Sequence, residues 1–302
     1  MLARISAAAP EADITAAAAP AKAEALARTA EILFGWPEPQ WLAKAENLRW
    51  LQLTSAGVER HLETFRALPA NVVLTSAAGA FGVAIAEHLF AMLLCLTRNL
   101  PLHLRNQAEH RWERQPIHRE ICGLTAGIIG YGDIGREFAA RARAFGMRVI
   151  AVRRRSESGG NTPDSVWGLT GLARLLAEAD VIVNCLPLTP VTRGLLNRER
   201  LFGIKQGAYF LNVGRGATVD EEALVECLRH GRLAGAGLDV FAEEPLPESS
   251  PLWELPNVII TPHVAGMTEC CLPRIVGIFC ENLHRYRAGE PLLNQVDLEA
   301  GY

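Results

Sequence analysis

The chain has 302 residues, which fits roughly two domains at the usual ~150 residues each and excludes a peptide or small scaffold. Lys plus Arg number 30 against 33 Asp plus Glu, a formal charge of −3, so no polyanionic partner is favoured and nucleic-acid binding is not expected. With 49% hydrophobic and 21% charged residues, the composition excludes extensive disorder.

The Ala-rich start, up to Pro20, has the flavour of an export signal, but Glu11 and Asp13 interrupt the apolar stretch such a signal needs, and none is expected. Short apolar runs then alternate with helix-like stretches. Asp13-Ile14-Thr15 and residues 31–35, 51–54 and 72–75 are predicted as strands of a parallel α/β layer. A long amphipathic helix is predicted over 83–97, with a break near Pro101, a polar stretch through His118, and the first domain crossing there. Its apolar run, 89–96, is much shorter than the ~20 residues a bilayer requires and follows Glu87 and His88 directly, so no membrane span is predicted.

The rhythm repeats with strand 126–129, helix 135–145 and strand 147–152. Further strands are predicted at 181–185, 208–212, 234–239 and 258–261, and six strands suffice for a doubly wound parallel sheet. Residues 156–165, and 243–256 with its four prolines, read as surface loops. The cysteines Cys95, Cys122, Cys185, Cys227, Cys270, Cys271 and Cys280 are odd in number and lack a C-x-x-C spacing. They resemble neither a disulfide framework nor a zinc site, so no metal is expected and a reducing cytoplasm is the expected compartment.

Gly130, Gly132 and Gly135 spell G-x-G-x-x-G, a weak pattern alone. Here it follows one predicted strand, opens a helix and lies within a single strand-helix-strand unit, as a dinucleotide site requires. Gly130 permits the turn, Gly132 lets the backbone approach a pyrophosphate, and Gly135 packs helix on strand, while the helix N-terminus attracts the phosphates. A tight turn serving only packing is the alternative. Where NAD-selective folds carry an acidic residue on the ribose, this chain has Arg153-Arg154-Arg155. Guanidinium groups bond a 2′-phosphate that an acid would repel, so NADP(H) is expected in preference to NAD(H), with NAD(H) as the alternative cofactor. A solvated basic edge is the competing explanation of the three arginines.

The stretch 127–153, then Cys185-Leu186-Pro187-Leu188-Thr189-Pro190-Val191-Thr192, Asn212-Val213-Gly214-Arg215-Gly216, Leu238-Asp239-Val240-Phe241 with Glu244-Pro245, and Thr261-Pro262-His263 together resemble the D-isomer-specific 2-hydroxyacid dehydrogenases. Matching motifs run in order from about Leu51 to the C-terminus. The arginine run and the ending from Val296-Asp297 to Gly301-Tyr302 are similar to glyoxylate/hydroxypyruvate reductases and related 2-oxoacid reductases.

The resemblance implies that Arg215 binds the substrate carboxylate and carbonyl, that His263 transfers the proton, and that Glu244 supports the far side of His263. Each role suits the chemistry. Reducing a 2-oxoacid places negative charge on the former carbonyl oxygen as hydride arrives, so fixed positive charge and a proton are both needed. Glu243 competes for the acidic role, and the family pattern favours the residue directly before Pro245. The resemblance further implies that Asp133 and Ile134 border the pyrophosphate and that Pro187 and Thr192 border the adenosine and ribose. It places Val213 beside the nicotinamide and Asp239 on the carboxamide. In the other domain, Ser55-Ala56-Gly57 resembles a loop whose backbone N–H groups grip the substrate carboxylate, the binding positions being Ala56 and Gly57.

The expected fold class is α/β with two doubly wound parallel-sheet domains, a Rossmann-type cofactor domain and a smaller flavodoxin-like substrate domain. Residues 1–97 form the first part of the substrate domain, 98–270 the dinucleotide-binding domain, and 271–302 return to the substrate domain. The family begins its substrate domain with a strand, whereas Met1-Leu2-Ala3-Arg4 here starts at the first helix, so an inner strand is expected to be absent. The expected partners are a small 2-oxoacid or 2-hydroxyacid substrate and a second copy, as a homodimer formed mainly through cofactor domains. The rival function is an NAD(P)-sensing binding protein resembling the corepressors built on this fold.

Overall fold

Short apolar runs bounded by turn residues pair as parallel strands in both units of the molecule. The structure, a computed structural model, describes residues 1–114, 118–154 and 163–302. One unit comprises 1–81 and 268–302, the other 82–267.

The first unit opens with helices α1 (Leu2–Ala8) and α2 (Pro20–Thr29), followed by β1 (Ile32–Gly35), α3 (Pro39–Leu42), β2 (Trp50–Leu53), α4 (Leu62–Ala67) and β3 (Val73–Thr75). The three strands form a parallel sheet in the order β1-β2-β3. Asp13-Ile14-Thr15 is not a strand: a lone isoleucine between polar neighbours packs against the hydrophobic cluster around Trp50 without joining the ladder. The central strand is buried throughout and carries a polar residue, Gln52, whose amide is satisfied. Its Nε2 donates to the carbonyls of Ser76 (2.9 Å) and Leu53 (3.0 Å), while Oε1 accepts from Thr75 Oγ1 (2.9 Å) and Asn282 Nδ2 (3.0 Å). These bonds fix the carboxyl ends of β2 and β3.

In the second unit come α5 (Gly82–Thr97), α6 (Leu100–Ala108), β4 (Thr125–Ile129), α7 (Asp133–Ala144), β5 (Arg148–Val152), β6 (Ser165–Trp167), α8 (Leu172–Glu178), β7 (Val181–Asn184), α9 (Arg198–Phe202), β8 (Ala208–Asn212), α10 (Glu221–Arg229), β9 (Leu233–Leu238) and β10 (Val258–Ile260). The chain then closes the first unit with α11 (Cys271–Ala288). The second sheet is all parallel in the order β10-β9-β8-β7-β4-β5-β6. It has seven strands rather than six, because Ser165–Trp167 adds an edge strand that pairs with Ile150–Val152. Arg155 and the rest of the predicted loop as far as 162 lie outside the described residues. Along β5 successive side chains enter opposite layers, Ile150 and Val152 one core, Val149 and Ala151 the other.

The first unit ends at Phe81 and not at 97. Helix α5 is apolar on most of its circumference and is therefore a core helix, burying Leu89, Phe90, Met92, Leu93 and Leu96 with residues of β4, β5, β7 and β8. Gly237 on β9 makes room for it, since a Cβ there would stand 2.9 Å from that of Met92. Phe90 stacks on Phe138 of α7 with ring centroids 4.6 Å apart. Among the described residues no single helix is long and apolar enough to cross a membrane, and all seven cysteines are free.

Candidate active site

Strand β4 has β5 on one side and β7 on the other, so the order of connection reverses between β4 and β7, where doubly wound sheets bind ligands at their carboxyl ends. The glycine turn lies there. Gly130 has φ +95°, its N–H donates to the Val152 carbonyl (3.0 Å), and a Cβ on it would stand 3.1 Å from the Cys185 carbonyl. A side chain is thus opposed both by conformation and by space. At Gly132, the residue before α7, a Cβ would meet nothing within 4 Å, which leaves the backbone open to a phosphate at the helix N-terminus. Gly135 is the reverse case, with a would-be Cβ 2.7 Å from the Gly130 carbonyl oxygen and 3.1 Å from Ile128. The turn therefore fits a pyrophosphate. Ile134 lies in the first turn of α7, and the Asp133 carboxylate is turned toward Gly82 at the start of α5.

Arg153 follows β5 directly and donates its N–H to the Trp167 carbonyl (3.0 Å). With Arg136 and Arg143 it acts on Tyr131 in the glycine turn, where burial raises the phenol and the three guanidinium charges oppose that rise. Three cationic groups thus act on this corner, and the described residues that directly follow β5 are Arg153 and Arg154. Arg154 is exposed beside it.

Arg215 stands on a platform of buried amides. Asn184 and Asn212, the last residues of β7 and β8, are register partners. Asn184 Nδ2 donates to Asn212 Oδ1 (3.0 Å) and to Thr218 Oγ1 (2.8 Å), Asn212 Oδ1 also accepts from Gly214 N (3.1 Å), and Thr218 Oγ1 donates to the Arg215 carbonyl (2.7 Å). Arg215 Nη1 itself donates to the Gly214 carbonyl (2.7 Å). Gly216 passes so close to the Phe241 carbonyl that a Cβ would overlap it. The Arg215 loop therefore lies against the turn that carries Glu244.

Glu244 is held by both oxygens. Oε1 accepts from Phe241 N (3.0 Å), and Oε2 lies 2.7 Å from His263 Nδ1. An ionised carboxylate only accepts, so Nδ1 carries the hydrogen and Nε2 is the nitrogen available to a substrate. Glu243 has no part in this pair. His263 adopts φ 55°, a left-handed conformation unusual for a residue with a side chain. Its N–H reaches the carbonyls of Asp239 (2.9 Å) and Thr261 (3.0 Å), and the buried Asp239 carboxylate accepts from Val264 N (2.9 Å) and Ala265 N (3.0 Å).

Other predicted positions are structural in their immediate contacts. Thr192 is buried and donates to the Pro187 carbonyl (2.6 Å) while accepting from Thr189 N (2.8 Å), which ties the 187–192 turn together. Val213 is buried in the core facing α5 and α7. In the first unit Ser55 Oγ donates to the Gly57 carbonyl (2.6 Å), Ala77 N donates to the Ser55 carbonyl (2.8 Å), and Ala56 is exposed. Sequence reasoning gave no role to Asn184, Thr218 or Thr261, although an asparagine closing each of two apolar strands was a readable signal. Among the described residues no group of three His, Cys, Asp or Glu side chains could hold a metal ion.

Residues 90–265 match the family described as D-isomer specific 2-hydroxyacid dehydrogenase, NAD binding domain. The glyoxylate/hydroxypyruvate reductase A of Photorhabdus laumondii is 34% identical over 275 residues, covering 88% of this chain and 86% of its own length. The D-3-phosphoglycerate dehydrogenase of Archaeoglobus fulgidus is also 34% identical, over 260 residues, but the chain spans only 48% of that relative. Among solved structures, a D-isomer specific 2-hydroxyacid dehydrogenase from Xanthobacter autotrophicus in complex with NADPH and MES superimposes with a TM-score of 0.84 at 33% identity, covering 100% of this chain and 95% of the other.

Proposed function

Because the chain belongs to the D-isomer-specific 2-hydroxyacid dehydrogenases, we propose that it reduces a small 2-oxoacid to a D-2-hydroxy acid, using NADP(H) in preference to NAD(H). The observation that carries this reading is the Glu244–His263 pair, packed through Phe241 against the loop of Arg215. The Arg215, Glu244 and His263 set favours chemistry over nucleotide sensing alone.

The glycine turn and the N-terminus of α7, with Gly130, Gly132, Asp133, Ile134 and Gly135, hold the pyrophosphate, while Pro187, Thr192 and Val213 border the rest of the cofactor. Asp239 takes the carboxamide: Thr261 Oγ1 and Val264 N bond its Oδ1, while Ala265 N is the one donor to Oδ2 among the described residues, which leaves Oδ2 able to accept another. Bound there, the nicotinamide supplies the hydride. Arg215 holds the substrate carboxylate and neutralises charge as it develops on the carbonyl oxygen. His263 delivers the proton from Nε2, and Glu244, on Nδ1, orients the ring and stabilises the imidazolium before transfer.

The NADP(H) preference rests on Arg153 and Arg154 at the position where an acid would select NAD, and NADPH accompanies the Xanthobacter relative. The glyoxylate/hydroxypyruvate reductase relative makes those two acids the first substrates to test. The chain works as a homodimer through its second unit, in the cytoplasm, where free thiols persist.

The test is nicotinamide oxidation followed spectrophotometrically with glyoxylate, hydroxypyruvate, pyruvate and phenylpyruvate, each with NADPH and NADH. Turnover of at least one acid is expected, with a higher kcat/KM for NADPH. Equal or better use of NADH would overturn the cofactor preference, and inactivity on all four acids would overturn the substrate class.

A further inference from the structure

We propose that His88 is a positioning residue for this reaction, acting through Thr261 and Asp239 to hold the backbone that carries His263. The inference rests on the reading of His263 given above. His88 lies on α5, and its Nε2 is 3.0 Å from Thr261 Oγ1. Thr261 Oγ1 is in turn 2.6 Å from Asp239 Oδ1.

The direction of this chain follows from counting protons. A threonine hydroxyl has one hydrogen, and the Asp239 carboxylate can only accept, so the hydrogen goes to Asp239. Thr261 Oγ1 must then accept from His88, which fixes the hydrogen on His88 Nε2. The sequence of donors is His88 Nε2–H to Thr261, and Thr261 O–H to Asp239. Three successive backbone N–H groups end on the same aspartate: His263 on its carbonyl (2.9 Å), Val264 on Oδ1 (2.9 Å) and Ala265 on Oδ2 (3.0 Å).

That convergence explains how His263 keeps its left-handed backbone of φ 55°. Asp239 has a side-chain exposure of only 3%, so its carboxylate is sustained by its donors and its orientation is set by them. His88 Nε2 lies 3.9 Å from Asp239 Oδ1, close enough to add directly to the field that orients the carboxylate. The neighbouring Glu87 is committed elsewhere, 3.7 Å from Arg141. His88 touches no reacting atom in this scheme. It stiffens the 261–265 segment from a different element, and stacked hydrogen bonds of this kind strengthen one another in a low-dielectric setting.

The experiment compares His88→Leu, which removes the donor and keeps the bulk, with His88→Gln, whose amide nitrogen can occupy the place of Nε2. Amide hydrogen exchange over 261–267 is measured on the protein alone, together with kcat, KM and the NADPH dissociation constant. His88→Leu is expected to lower kcat about 10- to 100-fold, the cost of a misplaced catalytic group, and to speed exchange at residues 263–265. Exchange elsewhere and the thermal transition should stay as in the wild type, NADPH affinity should fall no more than a few-fold through the Asp239 contact, and His88→Gln should restore both kcat and protection. Unchanged kcat and unchanged exchange in His88→Leu would overturn the inference, as would a Gln variant no better than Leu. Should His88→Leu fail to fold, Thr261→Val breaks the same chain one bond further on, with Thr261→Ser as the restoring variant. A wild type inactive on every 2-oxoacid refutes the proposed reaction, while exchange at 263–265 still decides the role of His88.

Discussion

At His263 one nitrogen is committed and the other is not, and that asymmetry is the chemical content of the site. The Nδ1 side is fixed 2.7 Å from Glu244, itself fixed by the Phe241 N–H. Replacing His263 by Ala should lower kcat by about 10²–10⁴ with NADPH affinity retained, as for loss of a general acid. Glu244→Gln is the finer probe, because it keeps the shape and removes the charge. Without its anionic neighbour the ring loses the partner that orients it and supports its positive charge. The variant's kcat should therefore fall about tenfold or more with NADPH affinity retained, and an unchanged kcat would reject the pairing. Arg215, Glu244 and His263 were singled out by their resemblance to the family's motifs, and the structure sets His263 Nδ1 2.7 Å from Glu244. The support beneath Arg215 was not legible in this way. Asn184 and Asn212 become a platform only once β7 and β8 lie side by side in register.

Strands and helices differ in how far local pattern identifies them. Strands β4, β5, β7, β8, β9 and β10 fall within a residue of the predicted positions, since each is a short apolar run bounded by turn residues. Asp13-Ile14-Thr15 failed because one isoleucine is too little surface to hold an edge, and Ser165–Trp167 was missed because three residues beside a predicted loop leave no period to read. Helix α5 was found, but its unit was not, since an apolar helix says that it is buried without saying where. One polar cluster binds the β4–β7–β8 edge together. Asp180 is 7% exposed and accepts from Arg119 (2.8 Å), Lys205 (2.9 Å) and Thr125 N (3.0 Å). Burial pushes its carboxyl up, but the Lys205 and Thr125 hydrogen bonds and the Lys205 and Arg119 charges outweigh that and hold it below the ordinary value. The stability it contributes is therefore present at neutral pH and lost as pH falls through the lowered value. Asp180→Asn should lower unfolding free energy at pH 7 by about 2 kcal/mol, less than for a wholly buried pair because both cations are partly exposed. Urea denaturation at several pH values checks this, and the gap from wild type should narrow below about pH 4.

For the whole molecule, the proposed homodimer has a testable seat on the second unit. Leu100 and Leu104 stand one turn apart on α6, 42% and 63% exposed, and Trp112 is 96% exposed shortly beyond. Aromatic and leucine side chains left in water close together in the chain are what a partner surface covers. A Leu104→Glu, Trp112→Ser double variant should sediment as a monomer where the wild type sediments as a dimer; an unchanged dimer would place the contact elsewhere. The path of the chain between the two units has its own consequence for biosynthesis. Residues 82–267 form an uninterrupted stretch and can complete their packing while the ribosome is still at work. Trp50, by contrast, waits for Val276, Phe279 and Leu283, the last pieces translated, before its surroundings close. A stop codon falling after residue 267 and ahead of that closing helix would therefore leave the nucleotide-binding half intact beside an opening segment with an unfinished core, marked for proteolysis.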